Sequence, residues 1–149
     1  MPTSRRCDGS LRERGVAPLR GARRYLEAAG RAGLKRGVIS SSAHIARMLA
    51  RSGLASVIDD RIDAEVVLAQ GLSARPAPDV LLAACRRLGV TAADTATLTH
   101  SPDGVIAGRA AGMTVVAIAA EPRAEVLAGV GPGRVAPSLA ALLDRRLLR

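Results

Sequence analysis

Three consecutive serines follow a short apolar segment in the first third of the chain. Ser40, Ser41 and Ser42 come directly after Gly-Val-Ile at 37–39, a stretch suited to a buried parallel strand. Hydroxyl and backbone N–H groups between a strand and a helix N-terminus can bind an anion such as a phosphate group. Capping of the next helix, which we predict over 43–51, explains the same serines equally well. Both interpretations stay open at this point.

Four acidic residues form a second cluster that could do chemistry: Asp59, Asp60, Asp63 and Glu65. Carboxylates at close range are the ligands that hard divalent cations prefer. The segment is strand-like, however, and alternate residues of a strand face opposite sides of a sheet. We therefore predict a solvated edge here and not a metal site.

Helical and strand-like segments alternate along the chain and must position these groups. We predict strands over 37–40, within 57–63, and over 95–99, 114–119 and 134–136, and helices over 19–32, 43–51, 79–88, 104–112 and 139–148. Only 1% of the residues are aromatic, so the core must be built from aliphatic side chains. This alternation with short connections predicts an α/β fold whose parallel sheet is covered by helices on both faces.

Four segments together resemble the β-phosphoglucomutase-like branch of the haloacid dehalogenase (HAD) superfamily. They are 33–42 with its terminal serines, 71–79 with Arg-Pro-Ala-Pro-Asp, Ser101-Pro102 followed by 107–113, and the strand at 114–119. The matching region extends from residue 16 to about residue 142. The resemblance implies a Rossmann-like three-layer sheet that corresponds to the C-terminal part of a HAD core domain.

The resemblance also assigns a phosphate-binding role to Ser40, Ser41, Ser42 and Arg75. Ser40 lies where the family has the phosphate-binding Ser or Thr at the end of a strand. Arg75 replaces the Lys of the family's Lys-Pro-x-Pro-Asp motif. It keeps the positive charge and can still contact phosphate with two N–H groups, although the two side chains are not equivalent in a tight site.

The positions that hold metal-binding acids in the family carry other residues here. Thr99 and His100 stand in place of the acidic motif before Ser101, Gly104 occupies a second acid position, and Asp103 is one position out of register. Neutral imidazole is a poor ligand for Mg²⁺, which family members use. We therefore predict that His100 is a loop residue, with Asp103 as a weak metal candidate, and we expect no cofactor.

The catalytic loop of the family has no counterpart in this sequence. HAD enzymes use an Asp nucleophile from a DxDx(T/V) loop, and the one superficial match is Asp8-Gly9-Ser10, which follows the polar stretch 4–7. We expect the nucleophile strand and the helical cap to be missing. The expected function is a degenerate or truncated HAD domain without phosphatase activity of its own. The alternatives are a non-catalytic module that binds phosphate or a phosphorylated small molecule, and one half of a split HAD phosphatase.

The absence of the nucleophile strand should affect assembly. That strand is central in the family's sheet, so its neighbours would keep unpaired backbone groups. We expect the strands to close up, or a second chain to dock, or the domain to be marginally stable. The partner could be a second copy of this chain or a missing N-terminal half.

The charge of the chain is concentrated near one end. Its net charge is +9, and residues 1–36 carry ten basic against three acidic residues. Only one of the 22 basic residues is Lys, which indicates genomic composition more than a nucleic-acid surface. We therefore predict a flexible basic arm over 1–17 and one domain over 18–149. The isolated Cys7 and Cys85, with no apolar run or leader-like segment, predict a cytoplasmic protein without membrane or nucleic-acid partners.

Overall fold

A computed structural model describes residues 21–144. The basic arm predicted over 1–17 lies outside the described residues. Within 21–144, seven α-helices and five short strands follow one another along the chain. The helices are α1 Ala22–Arg31, α2 Ile45–Ser52, α3 Ala64–Gln70, α4 Asp79–Leu88, α5 Pro102–Ala110, α6 Arg123–Ala128 and α7 Leu139–Leu142, and the strands are β1 Gly37–Ile39, β2 Asp60–Ile62, β3 Ala96–Thr99, β4 Thr114–Ile118 and β5 Arg134–Ala136.

The strands form two parallel sheets. In the N-terminal sheet β1 pairs with β2, and in the C-terminal sheet β4 lies between β3 and β5. The predicted α/β class with parallel pairing is confirmed. Over the described range, no strand ladder joins β1 to β3. The strands have therefore not closed up at the place where we expected one to be missing.

The tightest apolar packing lies around the C-terminal sheet. Val105, Val115, Ala117 and Leu127 form one cluster, and each is at most 2% exposed. Gly108 brings α5 close to this sheet, because a Cβ atom there would lie 2.6 Å from Cγ2 of Val115. A residue without a side chain thus sets the distance between helix and sheet.

Some predicted element bounds were wrong, for local reasons. α3 and α6 were not predicted, since seven and six residues are too few to show a helical pattern. The side chain of Asp63 caps α3 by accepting the Val66 N–H at 3.0 Å. α5 begins two residues earlier than predicted, because the Ser101 hydroxyl accepts the Gly104 N–H at 3.1 Å. The last helix ends at Leu142 and not at residue 148.

No helix in the 21–144 range is long and apolar enough to cross a bilayer.

Candidate functional site

A cavity of about 260 Å³ lies between β1 and β3. Gly37 and Ile39 of β1 line one part of it, and residues 95–99 line another along the whole of β3. Leu81 and Leu88 of α4 contribute apolar side chains. The cavity therefore lies at the separation between the two sheets. Local sequence patterns did not indicate which residues line it, because its walls come from segments distant in the chain. The resemblance gave only the expectation that a strand would be missing from the sheet.

Arg75 lies on this cavity together with Thr99 and Gly104. Ile39 is the last residue of β1 and Thr99 the last of β3, so the cavity includes the carboxyl ends of both strands. Ligands of open α/β sheets bind outside the carboxyl ends of strands. The exposed Arg75 side chain brings a guanidinium group to such a place.

The serine loop is shaped by its own hydroxyl groups. The Ser40 hydroxyl accepts the Ser42 N–H at 3.1 Å, and the Ser42 hydroxyl accepts the His44 N–H at 3.1 Å. The next helix, α2, begins at Ile45 and not at Ala43 as predicted, and its N-cap residue His44 makes no side-chain capping bond. The serines thus form a turn before the helix, while each hydroxyl hydrogen can still be donated.

The structure brings only part of the predicted site together. Ile39 precedes the serines and lines the cavity with Arg75, whereas Ser40, Ser41 and Ser42 are not among the lining residues. Ser41 is exposed. The grouping of these serines with Arg75 around one phosphate therefore stays a prediction.

Thr99 and Gly104, which the resemblance places at the family's metal-binding positions, are packed against each other. Thr99 is 7% exposed, and a Cβ atom on Gly104 would lie 1.9 Å from its Oγ1. The same oxygen accepts the Ser101 N–H at 3.3 Å. An acidic side chain at position 104 therefore has no room while Thr99 keeps this position.

His100 and Asp103 do not complete a metal site. His100 is exposed, and its backbone carbonyl accepts a hydrogen bond from Arg123 at 3.3 Å. Asp103 is exposed in the first turn of α5. Among residues 21–144, no three His, Cys, Asp or Glu side chains are grouped closely enough to hold a metal ion. The donor set does not fit Mg²⁺, which needs several converging hard oxygen ligands.

The acidic cluster is bound to arginines. Asp59 accepts the backbone N–H of Arg36 at 2.7 Å and its Nε at 3.1 Å. Asp60 accepts Nε and Nη2 of Arg87 at 2.7 and 2.9 Å. Hydrogen bonds from these guanidinium groups hold the pKa of both carboxyls below the usual value. Asp59 is exposed and Asp60 partly exposed, so the carboxylates lie at the surface, and the sequence did not indicate their arginine partners, which lie 23 and 27 positions away.

Comparisons with known proteins agree with this architecture. The family model of the haloacid dehalogenase-like hydrolases matches residues 3–118. The β-phosphoglucomutase of Mycobacterium bovis is 41% identical over 106 residues, which are 71% of this chain and 40% of that protein. This chain therefore spans well under half the length of that relative.

Solved structures show the same fold. A HAD family hydrolase from Deinococcus radiodurans, determined with bound phosphate and sodium, has a TM-score of 0.74 at 26% identity, over 85% of this chain and 57% of its own. A HAD hydrolase from Entamoeba histolytica has a TM-score of 0.80 at 19% identity, over 94% and 63% of the two chains. The chain thus belongs to the haloacid dehalogenase-like hydrolase family and is β-phosphoglucomutase-like within it.

Proposed function

We propose that this HAD-family domain binds phosphate groups and does not hydrolyse phosphate esters by itself. The packing of Thr99 against Gly104 is the observation that carries the proposal. It puts a buried neutral hydroxyl at a position where the family has a metal-binding acid, and it fills the space that a second acid would need.

Arg75 supports the phosphate-binding part of the proposal. Its guanidinium is exposed at the cavity that includes the carboxyl ends of β1 and β3. A guanidinium can donate two parallel hydrogen bonds to one phosphate, and charge-assisted bonds of this kind are stronger than neutral ones. The Deinococcus relative was determined with bound phosphate, which favours the same ligand class here.

The lack of turnover follows from the chemistry that the residues can perform. The 149 residues contain no Asp-x-Asp sequence, so the loop that carries the nucleophile and the acid/base is absent from them. Without a carboxylate nucleophile no aspartyl-phosphate can form. Arg75 would bind the ground state about as well as the transition state, which gives affinity without rate enhancement.

The test combines a binding assay with an activity assay on the purified chain. We expect calorimetry to detect inorganic phosphate binding, and Arg75→Ala to weaken it roughly tenfold because a charge-assisted bond is lost. The matched control is Arg86→Ala, an exposed arginine of α4 that does not line the cavity. With Mg²⁺, p-nitrophenyl phosphate and a panel of sugar phosphates should show no hydrolysis above background. Magnesium-dependent hydrolysis that disappears in Arg75→Ala would contradict the proposal.

The alternative is that the chain is one half of a split phosphatase. The 40% coverage of the curated relative favours it, because a second polypeptide could supply the remaining part. In that case the chain would be silent alone and active when mixed with a polypeptide that carries the catalytic carboxylate.

A further inference from the structure

The helix α1 forms one wall of the cavity between β1 and β3. Its residues Tyr25 and Leu26 line the cavity, together with Leu139 of α7. Only one of the ten residues of α1, Ala22, is buried, whereas α4, a helix of equal length, has four buried residues. Elements with few buried apolar contacts open more readily than the rest of a fold. Apolar packing therefore holds this wall of the cavity only weakly.

The side chain of Arg36 joins α1 to the N-terminal sheet. Its Nη1 donates to the Leu26 carbonyl at 3.3 Å, while Nε and Nη2 donate to the Asp59 carboxylate at 3.1 and 3.3 Å. Arg36 comes just before β1 and Asp59 just before β2, so one guanidinium links α1 to the starts of both strands. The ion pair is partly exposed, and pairs of this kind contribute little free energy. Such a contact can hold a helix in place and still release it.

Gly30 makes room for this guanidinium. A Cβ atom at position 30 would lie 2.5 Å from Nη1 of Arg36, which is closer than Cβ atoms approach other groups in proteins. Gly is also the poorest helix former after Pro, and Gly30 lies within α1. The residue therefore weakens the helix and at the same time lets Arg36 reach the Leu26 carbonyl.

The segment after α1 has the features of a hinge. Gly33 has a φ of +80°, and a Cβ atom there would meet nothing within 4 Å. The next residue, Leu34, is 59% exposed, so its side chain does not fix the connection to β1. Hinges are a few loop or element-terminal residues that absorb changes in φ and ψ. Residues 32–34 are all exposed, and the angle between α1 and β1 can change there without loss of buried contacts.

The first turn of α1 makes two further contacts. Arg23 donates a hydrogen bond to the Gly53 carbonyl at the end of α2. Gly21 lies against α7, because a Cβ atom on it would be 2.7 Å from the backbone nitrogen of Ala140. Release of α1 would therefore break polar and backbone contacts and expose one small side chain that is now buried, Ala22.

We propose that α1 is a movable cover of the cavity, hinged at Gly33 and held closed by the guanidinium of Arg36. In the closed position Tyr25 and Leu26 lie against the cavity. In the open position both side chains face water, and the cavity is accessible from the side of α1. The inference does not depend on the proposed function, because the opening of α1 is measured without phosphate.

Tyr25 provides a direct signal for the position of α1. It is the only Tyr, and the chain has no Trp, so the fluorescence and the phenolate absorbance of the protein come from one residue. Burial raises the pKa of the Tyr25 phenol above its ordinary value, because the charged phenolate is disfavoured away from water. Opening of α1 should lower this pKa and expose the ring to a soluble quencher such as acrylamide.

The first experiment compares the unmodified chain with Arg36→Ala. We expect acrylamide to quench Tyr25 about twice as strongly in the variant, with a phenol pKa closer to the ordinary value, because α1 is open more often. Arg87→Ala is the matched control, since it removes the other Arg–Asp pair of this sheet, which joins α4 to β2. Unchanged quenching in Arg36→Ala, or an equal change in Arg87→Ala, would overturn the proposal.

A milder variant keeps the test decisive if Arg36→Ala does not fold. Asp59→Asn removes the charge that orients the guanidinium of Arg36 and leaves the arginine in place. We expect it to increase the quenching of Tyr25 in the same direction and by a smaller factor. Quenching that decreases or stays the same would show that the Arg36–Asp59 pair does not hold α1 closed.

Amide hydrogen exchange of the full chain tests whether α1 opens as a unit. A detached helix of ten residues is marginal in water, so its amides exchange when the cover opens. We expect amides at 26–31 to share one equilibrium constant for opening, roughly tenfold above that of amides at 83–88 in α4. Protection that declines steadily along α1 would indicate fraying from one end and would contradict a hinged cover.

The contact between Gly30 and Arg36 allows a double-mutant cycle. Gly30→Ala favours the helix in either background, but only in the presence of Arg36 does the added Cβ also displace the guanidinium. We therefore expect Gly30→Ala to slow exchange at 26–31 roughly threefold more in the Arg36→Ala or the Asp59→Asn background than in the unmodified chain. Equal slowing in all backgrounds would mean that Arg36 does not act on α1 through this contact, and the proposed closure would fail.

Discussion

The two sheets are stabilised in different ways. In the C-terminal sheet, Val115 and Ala117 of the central strand pack with Leu127 of α6, and each is at most 2% exposed. In the N-terminal sheet, β1 has no buried residue. The charged pair Arg36–Asp59 joins the residues just before β1 and β2, and the pair Arg87–Asp60 joins α4 to the first residue of β2. Strands with one neighbour still bury apolar side chains elsewhere, since Ile62 of β2 is 1% exposed and Ala136 of β5 is 3% exposed. The low burial of β1 is therefore not explained by its having a single neighbour.

Burial is low in the two strands that border the cavity, β1 and β3. The residues of β3 belong to the C-terminal sheet, yet they resemble β1 in burial, and only Thr99 is buried. The common factor is the cavity between these two strands. Exposure therefore follows position relative to this cavity more closely than membership of either sheet.

The largest expected effect separates the packed core from the cavity between β1 and β3. Leu127→Ala should lower the free energy of unfolding by about 3 kcal/mol, because Leu127 is 1% exposed and its truncation leaves an empty space in the core. Leu98→Ala, which lines the cavity between β1 and β3, should lower it by only about 1 kcal/mol, because Leu98 is already partly exposed. Urea denaturation of the two variants gives the comparison. Equal losses would show that the side chains around this cavity are as well packed as the core.

A smaller effect is expected where α5 touches the C-terminal sheet. Gly108→Ala should destabilise the fold by about 2 kcal/mol, because its Cβ would lie 2.6 Å from Val115 and 2.7 Å from Thr97. Gly129→Ala is the matched control, since its backbone is right-handed and the nearest atom to its Cβ would be 3.4 Å away. Thermal melting should show a lower transition for the first variant only. A neutral Gly108→Ala would mean that α5 can move away from the sheet at little cost.

Sequence patterns predicted the elements that are long or whose ends are marked by Pro or Gly residues. The bounds of α4, Asp79–Leu88, were predicted correctly, because Pro76 and Pro78 precede the helix and Gly89 ends it with φ of +68°. The strand β5, Arg134–Ala136, was also predicted with its observed bounds. These segments carry their signals locally, so no tertiary information was needed.

The remainder depends on contacts between distant segments. The pairing of Asp60 with Arg87 joins residues 27 positions apart, and no local pattern indicates it. The tight contact between Thr99 and a Cβ at Gly104 depends on the turn that Ser101 caps. Resemblance to the family predicted the phosphate and metal positions, and those assignments stay predictions, whereas the packing of Thr99 and Gly104 is seen only in the structure.

The smallest expected effect is a pH dependence of the melting temperature that comes from the Asp60–Arg87 pair at the N-terminal sheet. Hydrogen bonds from Arg87 lower the pKa of Asp60 in the folded chain, whereas the pKa of an Asp in an unfolded chain is about 3.9. The stabilisation is therefore complete above the unfolded value and is lost as the pH falls through the lower, folded-state value. Because the pair is partly exposed, we expect its loss to shift the melting temperature by only about 2 °C.

The measurement is the difference in melting temperature between the unmodified chain and Asp60→Asn, followed from pH 6 to pH 2.5. The difference should be largest above about pH 5 and should shrink towards zero in acid, because protonation removes from the unmodified chain what the substitution has already removed from the variant. Asp103→Asn, an equal charge change on exposed α5, should show no comparable convergence. A difference for Asp60→Asn that stays constant or grows in acid would mean that the ionised Asp60–Arg87 pair does not stabilise the folded state, and the Arg36–Asp59 pair would then be the remaining charged contact that we describe at this sheet.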